Sequence, residues 1–390
     1  MTRSPLLPTA LAAAMVLALA GCKPQPASPP ADSRAAAPAP AAAEARAPEV
    51  QRRQLARGLY ELAYSPSQDA LFVASSGGFG PDAAPSRVLR LDPRTLEVQA
   101  EIPLERKAFG VVLDDAGGRL YVGNTVDTSV TVVDIAANEA VGLVQLEAKT
   151  RGADGQERYA HDLRELVVDP AGRRLYVTGH SEQGSVLFVV DTDALKVVST
   201  VEGLGKAKAP GLFLDAAGKR VFTSNLLGEV VVVDTDTLAV SQRHRTGIEQ
   251  PMNLAYDPAG KRLFVTDQGL AMIRDYQAKS IPGFQSRNPG NRIVVLDADS
   301  GRELHSIATE AGPLAIRFDA PRKRLYVTHR EAGKVTVHDS DDYRLLHSID
   351  LPTHPNSLAL DEQRNVLYAS IKNGEADPES AEESVARIAL

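Results

Sequence analysis

The chain has 390 residues, of which 43% are hydrophobic and 24% charged, and its formal net charge is −7. It is too apolar for a disordered chain and long enough for one large or two ordinary domains. With one Cys, Cys22, and no Trp, it excludes an internal disulfide framework, a zinc–thiolate site and the Trp-Asp signature of WD40 repeats. The acidic balance argues against a broadly basic nucleic-acid-binding face, though not against a local one.

Residues 1–21 read as a signal peptide. Arg3 gives a positive start, and the apolar run Leu11–Ala20 is too short to span a bilayer. The run ends Leu19-Ala20-Gly21-Cys22, which resembles the bacterial lipobox, where a Cys after small residues is acylated and becomes the new N-terminus. Cys22 is therefore the expected lipidation site. Lys23, not Asp, follows it; by analogy with enteric sorting rules this favours the outer membrane, facing the periplasm. Residues 22–50 form the expected tether. Lys23–Pro48 contains seven Pro and eleven Ala, which cannot build a core and favours extended polyproline II at about 3.1 Å per residue. Residues 1–50 carry four basic and three acidic side chains, so the remainder carries −8. Five of those negative charges lie in one stretch: Glu375, Asp377, Glu379, Glu382 and Glu383.

From residue 51 to 390 one pattern recurs. An apolar strand ends in Asp or a similar residue, a short Gly- or Pro-bearing turn follows, and then Leu or Val, an aromatic, Val and a small residue. It reads LDDAGGRLYVGN from residue 113, VDPAGRRLYVTG from 168, YDPAGKRLFVTD from 256 and FDAPRKRLYVTH from 318. The marker aromatics are Phe72, Tyr121, Tyr176, Phe222, Phe264, Tyr326 and Tyr368, spaced 42 to 62 residues apart. A unit of about 49 residues is the length of a four-stranded propeller blade. After each aromatic comes a second apolar run with an Asp-rich turn, which is hairpin chemistry. No stretch shows a sustained helical period. The predicted fold is all-β: a seven-bladed β-propeller. The last unit supplies three strands (HPNSLALD, VLYASI, VARIAL), and Gln51–Arg57 is expected to add the fourth, closing the ring and removing open edges.

Turns between the first and second strands, and between the third and fourth, share a lower face and are short. The upper connections vary, and 75–86, 146–161, 267–291 and 371–384 are long. Long loops on a rigid scaffold are where binding sites concentrate. Strand ends place Asn124, Asn225, Asp267, His329 and Arg330 at the upper mouth, with Phe109, Arg164, Asn253, His354 and Asn356 at the starts of the inner strands. The predicted ligand-binding set is Phe109, Asn124, Arg164, Asn253, His329, Arg330, His354 and Asn356, a cluster suited to an anionic or hydrogen-bonding ligand. No catalytic residue, metal site or cofactor is predicted. His180, His329 and His354, with Asp267, lack metal-ligand spacing. The Asp-rich turns lack the remaining ligands of a calcium loop.

The repeats LYVGN, LYVTG and LYVTH resemble the YVTN family of bacterial seven-bladed β-propellers. Longer segments resemble its YncE-like periplasmic group: GLYELAYS (58–65), RLDPRTLEV (90–98), GNTVDTSVTVVD (123–134), FVTD (264–267), YVTHREAGKVTV (326–337), PTHPNSLAL (352–360) and the chain end RIAL. The resemblance runs from about residue 54 to 390. It implies a non-enzymatic binding protein of the cell envelope, associated with single-stranded DNA, with His329, Arg330, His354 and Asn356 inside the matching motifs. Exposed aromatics and cations would be needed for such binding. Phe79, Tyr276 and Phe284 are candidates for the first, and Arg274, Lys279, Arg287 and Arg292 for the second. Residues 373–384 would repel a phosphate backbone on the same rim. The competing expectations are a propeller enzyme (a lactonase-type hydrolase or a quinoprotein-like dehydrogenase subunit) and a scaffold for envelope protein assembly.

Overall fold

A computed structural model describes residues 47–390, apart from residues 153, 375 and 379. The expected signal peptide, the Cys22 lipidation site and nearly all of the tether lie outside the described residues. The body consists of seven four-stranded antiparallel sheets, and in six of them the strands run in chain order. Blade one, for example, is built from Leu59–Ser65, Ala70–Ser75, Arg87–Leu91 and Val98–Pro103.

The turns explain why the hairpins form where they do. In the lower turns an Asp carboxylate accepts the backbone N–H three residues on: Asp114 from Gly117 at 2.9 Å, Asp169 from Gly172 at 3.0 Å, Asp215 from Gly218 at 2.9 Å. The residue before the second strand takes a left-handed φ, as with Gly118 (φ 66°), Lys219 (φ 53°) and Lys261 (φ 50°). The outer Asp-rich turns work the same way. Asp234 Oδ1 accepts from Asp236 N at 3.0 Å and Thr237 N at 2.7 Å, so this carboxylate holds a turn rather than an ion.

Packing between blades makes the ring. Every marker aromatic is at most 1% exposed, and each sits in an apolar cluster with the next blade. Phe72 packs with Val111 and Leu120, Tyr121 with Leu166 and Leu175, and Phe264 with Ile316 and Leu325. Tyr368 of blade seven packs with Leu62 and Leu71 of blade one, which completes the circle. No blade buries its marker alone, so stability belongs to the ring.

Blade seven confirms the expected closure. Its order is Pro355–Asp361, Val366–Ile371, Glu383–Ala389 and, outermost, Glu49–Ala56. Glu49 pairs with Ala389 and Ala56 with Glu383. The strand starts two residues before the expected position 51, so the propeller claims the last two residues of the predicted tether.

Two features of the long loops escaped the repeat pattern. Thr150–Arg151 and Glu157–Arg158 form a small hairpin, and Ala271–Ser280 is an α-helix. The helix docks through a polar anchor: Gln277 Nε2 donates to Leu226 O at 3.0 Å and Glu249 O at 2.7 Å. Gln277 is its single buried residue, so it carries no apolar stripe for sequence periodicity to detect.

Candidate functional site

The strand-end residues expected at the upper mouth turn inward instead. Asn124 is fully buried. Its Nδ2 donates to Lys107 O at 3.3 Å and its Oδ1 accepts from Ser129 Oγ at 3.2 Å and Thr131 Oγ1 at 2.9 Å. His329 is equally buried, with Nδ1 3.2 Å from Glu310 O and Nε2 2.7 Å from Thr336 Oγ1. Burial lowers its pKa to about 4, so the ring is neutral at physiological pH. Asn225 and Asp267 follow suit: Asn225 Nδ2 donates to Leu204 O at 2.8 Å, and Asp267 takes Arg292 Nε at 3.0 Å and Gln250 N at 2.9 Å. Asn124 and His329 therefore leave the candidate ligand set. The reason is physical: an orphan loop backbone at a buried strand end must be hydrogen-bonded, and these side chains do it. Arg292 is ion-paired with Asp267, and Arg274 donates to Asn288 O at 2.8 Å. Among the described residues no three His, Cys, Asp or Glu side chains converge.

Arg164 and Asn253 do come together, on the inner strands that line the channel. Arg164 Nη2 donates to Asn253 Oδ1 at 3.2 Å, and its Nη1 to Glu165 Oε1 at 2.9 Å and Pro210 O at 2.8 Å. Asn253 Nδ2 donates to the same Glu165 oxygen at 2.8 Å. Glu61 of blade one completes this cross-channel group, accepting Val111 N at 2.9 Å. Burial, and then the neighbouring Glu165, push the Glu61 carboxyl well above its ordinary range. Neither glutamate was marked in the sequence, because each occupies one blade and no local spacing links them.

A cleft of about 700 Å³ lies between blades seven and one, lined by Arg57, Tyr60, Phe79, Lys372, Asp377 and Glu383 among others; Phe109, Arg330, His354 and Asn356 are not part of its lining. Three aromatic rings run along one side. Tyr60 and Phe109 have centroids 4.5 Å apart, and Phe79 follows 6.0 Å from Phe109. Phe79 is 54% exposed. Cations flank the rings: Lys107 Nζ stands 5.2 Å from the Phe79 centroid and Lys372 Nζ 3.7 Å from that of Tyr60. Lys372 also donates to Leu59 O at 2.8 Å and lies 3.3 Å from Glu383 Oε2. Burial lowers its pKa, opposed by Glu383.

His354 and Arg330 lie beside residues of the cleft wall. His354 Nδ1 lies 3.0 Å from Asn373 O and its Nε2 3.9 Å from Glu331 Oε2, while Arg330 Nε is 3.8 Å from Glu331 Oε1. The positive charge of Arg330 acts on both Tyr60 and Lys372. Asn356 is half-buried, and its side-chain amide makes no hydrogen bond among the described residues. Of the acidic stretch, Asp377 lines the cleft and Glu383 is held inside it. Glu383 is buried and faces Lys372, and its carboxylate accepts Leu59 N at 2.5 Å and Asn373 N at 3.2 Å.

No family model matches the chain. A Salmonella typhimurium protein described as "Uncharacterized protein YncE" is 34% identical over 292 residues, 74% of this chain and 75% of that protein. The Escherichia coli K12 protein of the same description is 35% identical over 231 residues, 58% of this chain and 64% of that protein. Among solved structures, hydrazine synthase of Kuenenia stuttgartiensis superposes with a TM-score of 0.64 at 19% identity, covering 82% of this chain and 94% of that one. The Cps50 (Swd1) β-propeller domain of Myceliophteria thermophila gives 0.62 at 11% identity, covering 87% and 98%. These two likenesses concern the fold alone. The extent and identity of the sequence matches, on a seven-bladed ring closed by its first and last strands, make this chain a member of the YncE family of β-propellers.

Proposed function

We propose that the protein is a non-enzymatic binding propeller whose upper cleft takes single-stranded nucleic acid. One observation carries this reading: a 54% exposed Phe79, backed by the largely buried Phe109 and then Tyr60, with Lys107 and Lys372 beside the rings. Rings that bases can stack on, beside cations that neutralise phosphates, are what sequence-tolerant strand binding needs. The test is fluorescence anisotropy of a labelled oligo-dT against rising salt. Binding at low salt that weakens log-linearly with salt concentration supports the proposal. Absence of binding at low salt refutes it.

The envelope location belongs to the same proposal. Residues 1–21 would direct export, and Cys22 would carry the lipid. Metabolic labelling with an alkyne fatty acid should tag the wild type and spare Cys22→Ser; equal labelling of both would sink the lipoprotein reading.

A second reading, a metal-dependent hydrolase, draws on Glu61, Glu165 and Asn253 in the channel. Arg164 weighs against it, because its guanidinium holds the oxygens of Glu165 and Asn253 that a cation would need. A stoichiometric divalent ion in purified protein would favour the hydrolase.

A further inference from the structure

The blade repeat provides an internal control for every position. On each inner strand one residue sits directly opposite the marker aromatic. Six of these are apolar: Ala63, Val112, Val167, Phe213, Ala255 and Ala359. The seventh, in blade six, is Arg317, opposite Tyr326. Nothing in the scaffold's own packing requires a charge there, since six blades close without one.

Arg317 borders a cavity of about 290 Å³ formed by the inner strands of blades one, two, six and seven, with Tyr64, Leu113, Asp115 and Leu360. These residues lie at the lower-face ends of their strands, so the cavity is the lower mouth of the channel. Arg317 is exposed to solvent within the mouth of the channel. It makes no hydrogen bond and no ion pair with any described residue. Neither nearby carboxylate touches it. Asp115 is engaged by Ser67 N at 3.1 Å, Ser67 Oγ at 2.9 Å and Ser65 Oγ. Glu362 acts on Arg317 only through its field. A guanidinium keeps its charge at every physiological pH, and without a protein partner its N–H groups stand open to a ligand at the channel mouth.

We propose that the lower mouth of the channel is a binding site for a small oxyanion, a carboxylate or a phosphate, gripped by the forked N–H groups of Arg317. Carboxylate and phosphate each present two oxygens that match that fork in two parallel hydrogen bonds. The site stands at the opposite end of the channel from the aromatic cleft and does not depend on it.

The test uses thermal unfolding of the purified protein in low-chloride buffer, titrated with inorganic phosphate and, separately, with acetate. The comparison variant is Arg317→Ala, which should fold because blades one, five and seven carry Ala at the same register. The wild-type midpoint should rise by about 1–3 °C at an anion concentration well above Kd. Arg317→Ala should show no rise, and without anion it should melt close to the wild type, as expected for an exposed side chain without a partner. A rise with phosphate alone assigns a phosphate site; a rise with acetate as well assigns a general oxyanion site. The proposal is overturned by an equal rise in the variant, or by no rise in the wild type. It is also overturned if the variant melts well below the wild type without anion, which would mark Arg317 as a packing residue.

Discussion

Deleting Ile388–Leu390 cuts the seam that joins the two ends of the chain. Ile388 is fully buried, in a cluster with Leu367 and Ala386, and losing such a side chain costs about 1.5–3 kcal/mol. Ile388 and Ala389 also face Val50 and Glu49 on one side and Leu367 and Val366 on the other. Leu390 N donates to Asn365 O at 3.1 Å, and Asn365 Nδ2 donates to Leu390 O at 2.5 Å. Each lost hydrogen bond removes about 0.5–1.5 kcal/mol net, so the whole deletion costs about 5 kcal/mol or more. That is comparable to the entire stability of many domains, about 5–15 kcal/mol. The midpoint of thermal unfolding, followed by calorimetry, should fall by about 10 °C. A midpoint within about 2 °C of wild type would mean that the seam contributes nothing to the ring, and the closure argument would fail.

Phe79→Ala should weaken oligo-dT binding by about 5- to 100-fold while leaving the melting temperature unchanged, as expected of an exposed stacking ring; anisotropy and thermal melts on the same sample check both halves. Glu61→Gln tests the channel pair. A carboxyl whose folded pKa is raised makes the protein lose stability as pH climbs from the ordinary carboxylate value, 4.5, to the elevated one. The variant's midpoint should therefore match wild type at pH 4 and exceed it increasingly above that, and parallel pH profiles would contradict the assignment. His329→Ala should lower stability by about 2–4 kcal/mol, because the buried Glu310 carbonyl and Thr336 hydroxyl lose their partner. Urea denaturation measures that cost, and oligonucleotide affinity should not change.

The fold was legible because each blade repeats one instruction. Asp opens the turn, a residue of left-handed φ closes it, and an aromatic fills the gap to the next blade. Phe72 and Tyr368 announce the same contact some 300 residues apart, so the sequence itself specifies the ring. The site was legible only in part. Phe109, Arg330, His354 and Asn356 were singled out because strand ends and loop lengths point to the upper rim. Asn124 and His329 were misplaced because a polar residue at a strand end looks the same from sequence whether it faces a ligand or its own loop. Lys372, Glu61 and Glu165 were missed because each acts across blades. Their partners, Tyr60, Glu165 and Asn253, are fixed by the closed circle and by no local spacing.

Closure has a kinetic consequence. The pair Glu49 and Ala389 can form only when the six intervening blades have brought the two segments side by side. Loop-closure entropy grows only logarithmically with length, so spanning the whole body costs about 2 kcal/mol more than spanning one blade. Because its two strands come from opposite ends of the chain, the seam is expected to form late in folding. Interactions that form after the folding barrier govern the unfolding rate. Changes confined to Glu49–Ala56 should leave refolding fast and shorten the lifetime of the folded ring.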